Sequence, residues 1–256
     1  MKNKLSSLEE NIRTFDNYYD KPPWWFSLRY DTQYKKKTCI ELIKRNKIIV
    51  DDKKILELGF GSGDILLSFG KSDLHGVEMS NSAISFVLKK AKKKKIANIK
   101  LENNSDGSLP YSDNCFDIII ASHVMEHVEN DAITISEINR VLVDGGYCII
   151  LIPINENYDD PKHIRKYSTK SFLDLIKINQ FNIVDNYENE YLFHLVESFY
   201  YRKLNKKWKI LRPIIVLIFN LPLALIPYRV YGIFEYFFKK LKYQPRQSGI
   251  LLMKAN

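Results

Sequence analysis

The chain has 256 residues, 45% of them apolar and 27% charged. That suits one large domain, or one domain with an appendage, and excludes a wholly disordered chain. The net charge of +9 is unevenly spread: residues 200–256 carry twelve Lys/Arg against one acid, Glu235, a local +11, and the rest of the chain is near neutral. A basic tail of this kind attracts anionic partners such as phosphate-bearing substrates, acidic lipid surfaces or nucleic acid. Cys39, Cys115 and Cys148 cannot build a disulfide framework and lack metal-ligand spacing. A reducing compartment is the default, and no metal is expected.

The start, MKNKLSSLEENIRTFDNYYD, has no apolar stretch of the signal-peptide kind. Residues 1–48 read as an N-terminal helical cap: a short helix, a break at Pro22-Pro23, and a second helix over 26–47. Its aromatic residues, Trp25 and Tyr30 among them, suit either a cap on a sheet edge or a flap over a ligand.

A βαβ rhythm follows, spanning a core placed at 49–190. KILEL at 54–58 reads as a buried strand and runs straight into glycines. A short helix at 64–70, a strand at 74–78, a helix over 80–95 and a strand at 96–102 come next. CFDIIIA at 115–121 is a continuous apolar run, the mark of a central parallel strand. A helix over 131–142 is expected to end at Asp144-Gly145-Gly146, before the strand YCIILI at 147–152. A helix at 169–179 and a strand at 181–187 complete the alternation. Strands alternating with helices predict an α/β fold with a mostly parallel sheet.

Residues 191–256 are expected to form a basic, apolar helical extension. Ile210–Pro227 is apolar but broken by Arg212, Asn220 and three prolines, so it makes a poor simple transmembrane helix. YRVYGIFEYFFKKLKY at 228–243 has the aromatic face and basic end of an interfacial helix. Three roles stay open for this extension: a lid, a homodimer element, or peripheral membrane contact through residues 207–243. The chain is accordingly expected in the cytoplasm, with the inner face of the membrane as one location.

The sharpest motif is Glu57-Leu58-Gly59-Phe60-Gly61-Ser62-Gly63, directly after a strand. Glycines there permit a tight turn and close approach of a ligand to the backbone. The spacing is neither G-x-G-x-x-G nor a phosphate-binding ATPase loop. Glu78, at the end of the second strand, can accept hydrogen bonds from both hydroxyls of a ribose. Asp106, in SDGSLPY, could accept from an exocyclic adenine amine.

The stretches ILELGFGSG, HGVEMS, SLPYSDNCFDIIIASHVMEHV and EINRVLVDGGYCIILIP together resemble the class I S-adenosylmethionine-dependent methyltransferases, small-molecule branch. The resemblance covers about residues 50–155 and extends through HIRKYSTKSFLDLIKINQFNIV to 187. It implies a Rossmann-like seven-stranded, mostly parallel sheet with the last strand antiparallel. It implies S-adenosyl-L-methionine as cofactor, held by Glu57, Gly59, Gly61, Gly63, Glu78, Met79, Asp106, Gly107 and Ser122. One departure concerns adenine: the family's loop acid lies four residues before Leu-Pro, where this chain has Ser105, with Asp106 one later.

A protonated acceptor needs a base, and His123, His127 and His163 are the candidates because imidazole titrates near neutrality. His163 lies in KHIRKYS, which overhangs the acceptor pocket in the family. Trp25, Tyr30, Arg165 and Tyr167 are the expected acceptor contacts. The acceptor is expected to be a small or lipid-linked molecule, with a sugar, lipid or quinone-like hydroxyl methylated. Nucleic acid fits poorly, because no D/N-P-P-Y/F motif is present. The competing classes are a non-catalytic cofactor-binding interaction protein and a nucleic acid methyltransferase anchored by the tail.

Overall fold

The computed structural model describes residues 4–22, 30–104, 108–156, 162–191 and 228–255. Two helices lead: α1 (Lys4–Asp20) and α2 (Tyr30–Arg45). The sheet then builds through β1 (Lys54–Leu58), β2 (Asp73–Glu78), α3 (Asn81–Lys93), β3 (Ile99–Asn103), β4 (Phe116–Ser122), α4 (Asp131–Val141) and β5 (Leu142–Pro153). α5 (Thr169–Lys177), β6 (Phe181–Asn189), α6 (Tyr228–Lys240) and β7 (Gln247–Lys254) complete it. The sheet has seven strands in the order β3-β2-β1-β4-β5-β7-β6. The first five pair in parallel, and β7 runs antiparallel between β5 and β6.

Burial on both faces explains the near-continuous apolar strands. Leu56, Phe116, Ile119 and Ile150 point to one layer, closed by Ile138 of α4 and Phe172 of α5. Ile55, Ile118, Ile120 and Ile149 point to the other, closed by Leu42 of α2 and Val87 of α3. Helix starts are fixed by side-chain caps. Ser80 Oγ accepts from the Ala83 N–H, Asn130 Oδ1 from the Ile133 N–H, and Ser168 with Ser171 forms a reciprocal box.

Two expectations are corrected. The Asp144-Gly145-Gly146 turn does not end α4, which stops at Val141 as Leu142 enters β5. The glycines instead form an irregularity within β5, where pairing with β4 jumps from Leu142 to Tyr147. Gly145 has φ +71°, which an L side chain adopts at a cost. Second, the stretch 191–256 is not all extension. Its last strand, Gln247–Lys254, belongs to the core sheet and pairs on both sides. The segment Ile210–Pro227 lies outside the described residues. Among the described residues no helix is long and apolar enough to cross a membrane.

Since β7 supplies hydrogen bonds to both β5 and β6, ending the chain at Arg246 strips two strand edges at once. That truncation is expected to lose the cooperative thermal transition seen by calorimetry. A transition like that of the full chain would show β7 to be peripheral.

Candidate functional site

The site forms at the carboxyl ends of β1, β2, β4 and β5, where strand order reverses between β1 and β4. Open α/β sheets place their ligand crevice at such a point. A cavity of about 920 Å³ opens there, and its wall runs from the glycine loop to His163.

The glycine loop supplies one end. Gly59, Gly61 and Gly63 have φ of +59°, +48° and +66°. A Cβ on Gly61 would sit 2.6 Å from Tyr19 Oη, and one on Gly59 would sit 2.7 Å from a Val124 methyl. The loop is thus a cradle that only glycine fits. Gly59 and Gly61 line the cavity, whereas Gly63 packs against Val87 and shapes the turn. Lys90 Nζ secures the loop by donating to the Ser62 carbonyl (2.7 Å) and Asp64 Oδ1 (3.0 Å).

Glu78 sits beside the cradle, nine-tenths buried. Its Oε2 accepts from the Gly61 N–H (3.0 Å), and Oε1 accepts from the N–H groups of Met79 (2.9 Å) and Ser80 (3.2 Å). Burial nevertheless pushes this carboxyl above its ordinary value. Glu57 plays a supporting part: its Oε2 accepts from the Leu66 N–H at 2.8 Å, and burial drives its pKa well up. Helix α1 closes over this end. Asp16 Oδ1 accepts from Ser80 Oγ (2.7 Å) and from the Ser82 N–H (3.1 Å). Sequence reasoning gave Asp16 no role, because its partners lie more than sixty residues away.

Ser122 ends β4 and His123 follows it. Ser122 Oγ is buried without a hydrogen-bond partner among the described residues and faces the cavity wall. His123 has φ +55° and both ring nitrogens face protein groups. Nδ1 stands 3.3 Å from Glu126 Oε1, and Nε2 stands 2.9 Å from Gln247 Oε1. Burial pushes the His123 imidazole below its ordinary value. Burial also works to raise Glu126, but His123 and His127 outweigh it and hold this carboxyl well below the usual range.

The far end gathers His127, His163 and Glu156. His127 Nδ1 meets the Lys162 carbonyl at 3.0 Å, and His163 Nδ1 stands 2.7 Å from Glu156 Oε1. The two imidazoles meet edge to face at 5.0 Å. All three predicted histidines line the cavity. Arg165 and Tyr167, expected at the acceptor, turn to α4 instead. Arg165 pairs with Asp131 at 2.8 Å, and Tyr167 Oη donates to the same carboxylate at 2.7 Å. They brace the 162–168 segment and are not among the cavity-lining residues. Asp106, Gly107 and Trp25 lie outside the described residues. Of Tyr30 the backbone alone is described, at the start of α2. Asn104 and Ser108, which flank the adenine-loop motif, do line the cavity.

Glu126, Glu156 and Glu190 were missed by sequence reasoning. Glu126 was signalled only by its place between His123 and His127. Glu190 lines the cavity, and burial pushes its carboxyl up to about 8, helped by Glu235 and Asp31 and opposed by Lys35. A carboxyl raised on folding binds its proton more tightly in the native state. Its cost to stability is absent below the unfolded value of about 4.3 and grows as pH rises toward the folded one. Glu190→Gln is therefore expected to be more stable than the parent in urea unfolding. The gap should widen from pH 5 to 8 and level off above. A gap independent of pH would remove Glu190 as its source.

The methyltransferase-domain family matches residues 49–209 of this chain. The chain is 28% identical over 148 residues to the ubiquinone/menaquinone biosynthesis C-methyltransferase UbiE of Shewanella oneidensis, covering 54% of this chain and 57% of that one. It is 23% identical over 144 residues to the uncharacterized methyltransferase YcgJ of Bacillus subtilis, covering 50% and 57%. The chain spans about half the length of the curated relatives it matches. Its fold matches a putative sarcosine dimethylglycine methyltransferase from Galdieria sulphuraria with a TM-score of 0.59 at 15% identity, over 87% of this chain and 85% of that one.

Proposed function

This chain belongs to the methyltransferase-domain family, and from that premise we propose that it transfers a methyl group from S-adenosyl-L-methionine to a small-molecule acceptor. The observation that carries this reading is one continuous cavity joining the glycine cradle and Glu78 to the histidine cluster. Its volume is at the upper end of ligand pockets, which suits two molecules side by side.

The cradle fits the cofactor. Three positive-φ glycines leave the loop bare, and a carboxylate fixed by three backbone N–H groups stands where a ribose diol can meet it. When bound, S-adenosylmethionine supplies an electrophilic methyl on a sulfonium. The chain's own part is to align the acceptor and keep water out. Phe15, Tyr18 and Tyr19 of α1 form an aromatic wall for that purpose.

We assign the acceptor to the His127–His163 end, with a hydroxyl of a sugar-, lipid- or quinone-like molecule as the methylated group. A hydroxyl must shed its proton, and the polar cluster is built there. His123 has both nitrogens occupied by Glu126 and Gln247, so its role is to position Glu126. The UbiE relatives, named for quinone biosynthesis, support an apolar ring or lipid-linked acceptor. So does α6, which exposes Ile233, Phe234 and Phe237 ahead of Lys239 and Lys240. That pattern supports contact with an acidic lipid surface.

Two measurements test the reading. Gly61→Arg places a side chain in the cradle at a left-handed φ, and calorimetric affinity for S-adenosylmethionine should vanish while the far-UV spectrum is kept. Unchanged affinity would move the cofactor elsewhere. Radiolabelled methyl incubated with fractionated cell extract should enter the organic phase. Label confined to water-soluble molecules would instead assign a soluble acceptor and remove the lipid contact.

A further inference from the structure

We propose that Glu126, His127 and His163 bind a divalent transition-metal ion at the acceptor end of the cavity. The inference rests on the methyl-transfer reading of that cavity. One ligand atom from each residue lies within 4.8 Å of the others. The set is two imidazoles and one carboxylate, which suits first-row ions such as zinc, cobalt or manganese.

The arrangement around the three side chains is that of a metal site's outer shell. His127 Nδ1 is engaged by the Lys162 carbonyl at 3.0 Å, and His163 Nδ1 faces Glu156 Oε1 at 2.7 Å. Metal-binding histidines are fixed in this way, with one nitrogen on a carbonyl or carboxylate and the other on the ion. With Nδ1–H on the carbonyl, His127 turns a lone pair at Nε2 toward Glu126 Oε1, 3.9 Å away. Two acceptors facing each other have no proton to share, whereas an ion between them satisfies both.

The buried carboxyl groups point the same way. Glu126 is 1% exposed and Glu156 3%, and neither oxygen of either carboxyl has a hydrogen-bond partner of good geometry among the described residues. A buried carboxyl group left without hydrogen bonds is costly, and coordination of a metal relieves that cost. His123, 3.3 Å from Glu126, meets only one of its oxygens.

An ion here gives the methyl transfer its activated nucleophile. An acceptor hydroxyl at an open position on the ion would be easier to deprotonate, its proton leaving to solvent. The oxygen then forms a bond to the methyl carbon as the sulfur–methyl bond breaks and its electron pair stays on sulfur.

The test uses the full chain, stripped with a chelator and dialysed. Zn²⁺ is titrated by calorimetry and Co²⁺ by visible absorption. One equivalent of Zn²⁺ should bind with micromolar affinity or better, and Co²⁺ should show ligand-field bands. Glu126→Gln and His163→Ala should each weaken Zn²⁺ binding about 100-fold or more. Both should keep their affinity for S-adenosylmethionine. If the parent binds S-adenosylmethionine but neither metal, the ion site is overturned and the methyl-transfer reading stands. If the parent fails to bind S-adenosylmethionine, the methyl-transfer reading itself falls. Zn²⁺ affinity unchanged in folded variants also overturns the site. Should Glu126→Gln not fold, His163→Ala and the parent's Co²⁺ spectrum decide the matter.

Discussion

A single hydrogen bond sets the geometry of the cavity's glycine-loop end. The Gly61 N–H donates to Glu78 Oε2 at 3.0 Å, tying the loop after β1 to the tip of β2. The loop runs through three left-handed glycines, each with more conformational freedom to lose than any other residue. Glu78 is a carboxylate taken out of water, which is tolerable only with donors around it. The parallel register that sets Glu57 beside Gly76 and Leu58 beside Val77 brings the loop and the carboxylate to the same edge. Asp16 then binds Ser80 and Ser82 at the start of α3, so α1 closes over a frame that is already fixed.

The other end depends on the chain's last strand. Gln247, the first residue of β7, reaches His123 through Oε1 and donates through Nε2 to Thr38 Oγ1 and Asn189 Oδ1. Asn189 Nδ2 also donates to Thr38 Oγ1, which in turn donates to the Tyr34 carbonyl. Thr38 of α2, Asn189 of β6, Gln247 of β7 and His123, just past β4, are therefore members of one network. Buried polar networks that are satisfied in full give rigidity and a unique arrangement. Here the rigidity reaches His123, and through it Glu126. Residues at the chain's end thus shape a site whose motifs lie in its first half.

The glycine loop, Glu78 and the central strands were legible because each depends on neighbours in sequence. A strand that runs into E-x-G-x-G-x-G fixes its own turn, and an unbroken FDIIIA can only be buried. The double glycine after α4 was misread for a local reason: a helix cap and a strand bulge ask for the same residues. Arg165 and Tyr167 looked like acceptor contacts because a basic, aromatic segment overhanging a pocket suggests one. Their partner Asp131 lies more than thirty residues back, and no spacing rule reveals it. Glu156 and Glu190 were invisible for a related cause. An isolated acid in a sequence reads as surface, and only the fold shows which acids are buried.

Those buried acids also bear on how the site distinguishes its ligands. Glu57, Glu78, Glu126, Glu156 and Glu190 stand around one cavity. Glu57 is pushed up by burial and further by Asp64 and Glu78, and Glu190 by burial and by Glu235 and Asp31. A wall of this kind favours a cation and tightens as a positive ligand enters, because each carboxylate is then easier to ionise. S-adenosylmethionine carries a permanent positive charge at sulfur, and the demethylated product does not. In the proposed methyl transfer, the acids at the glycine-loop end, Glu57 and Glu78, would attract the sulfonium before transfer and lose most of that attraction afterward. Electrostatics would then give that end of the cavity a direction, favouring the charged form over the neutral one.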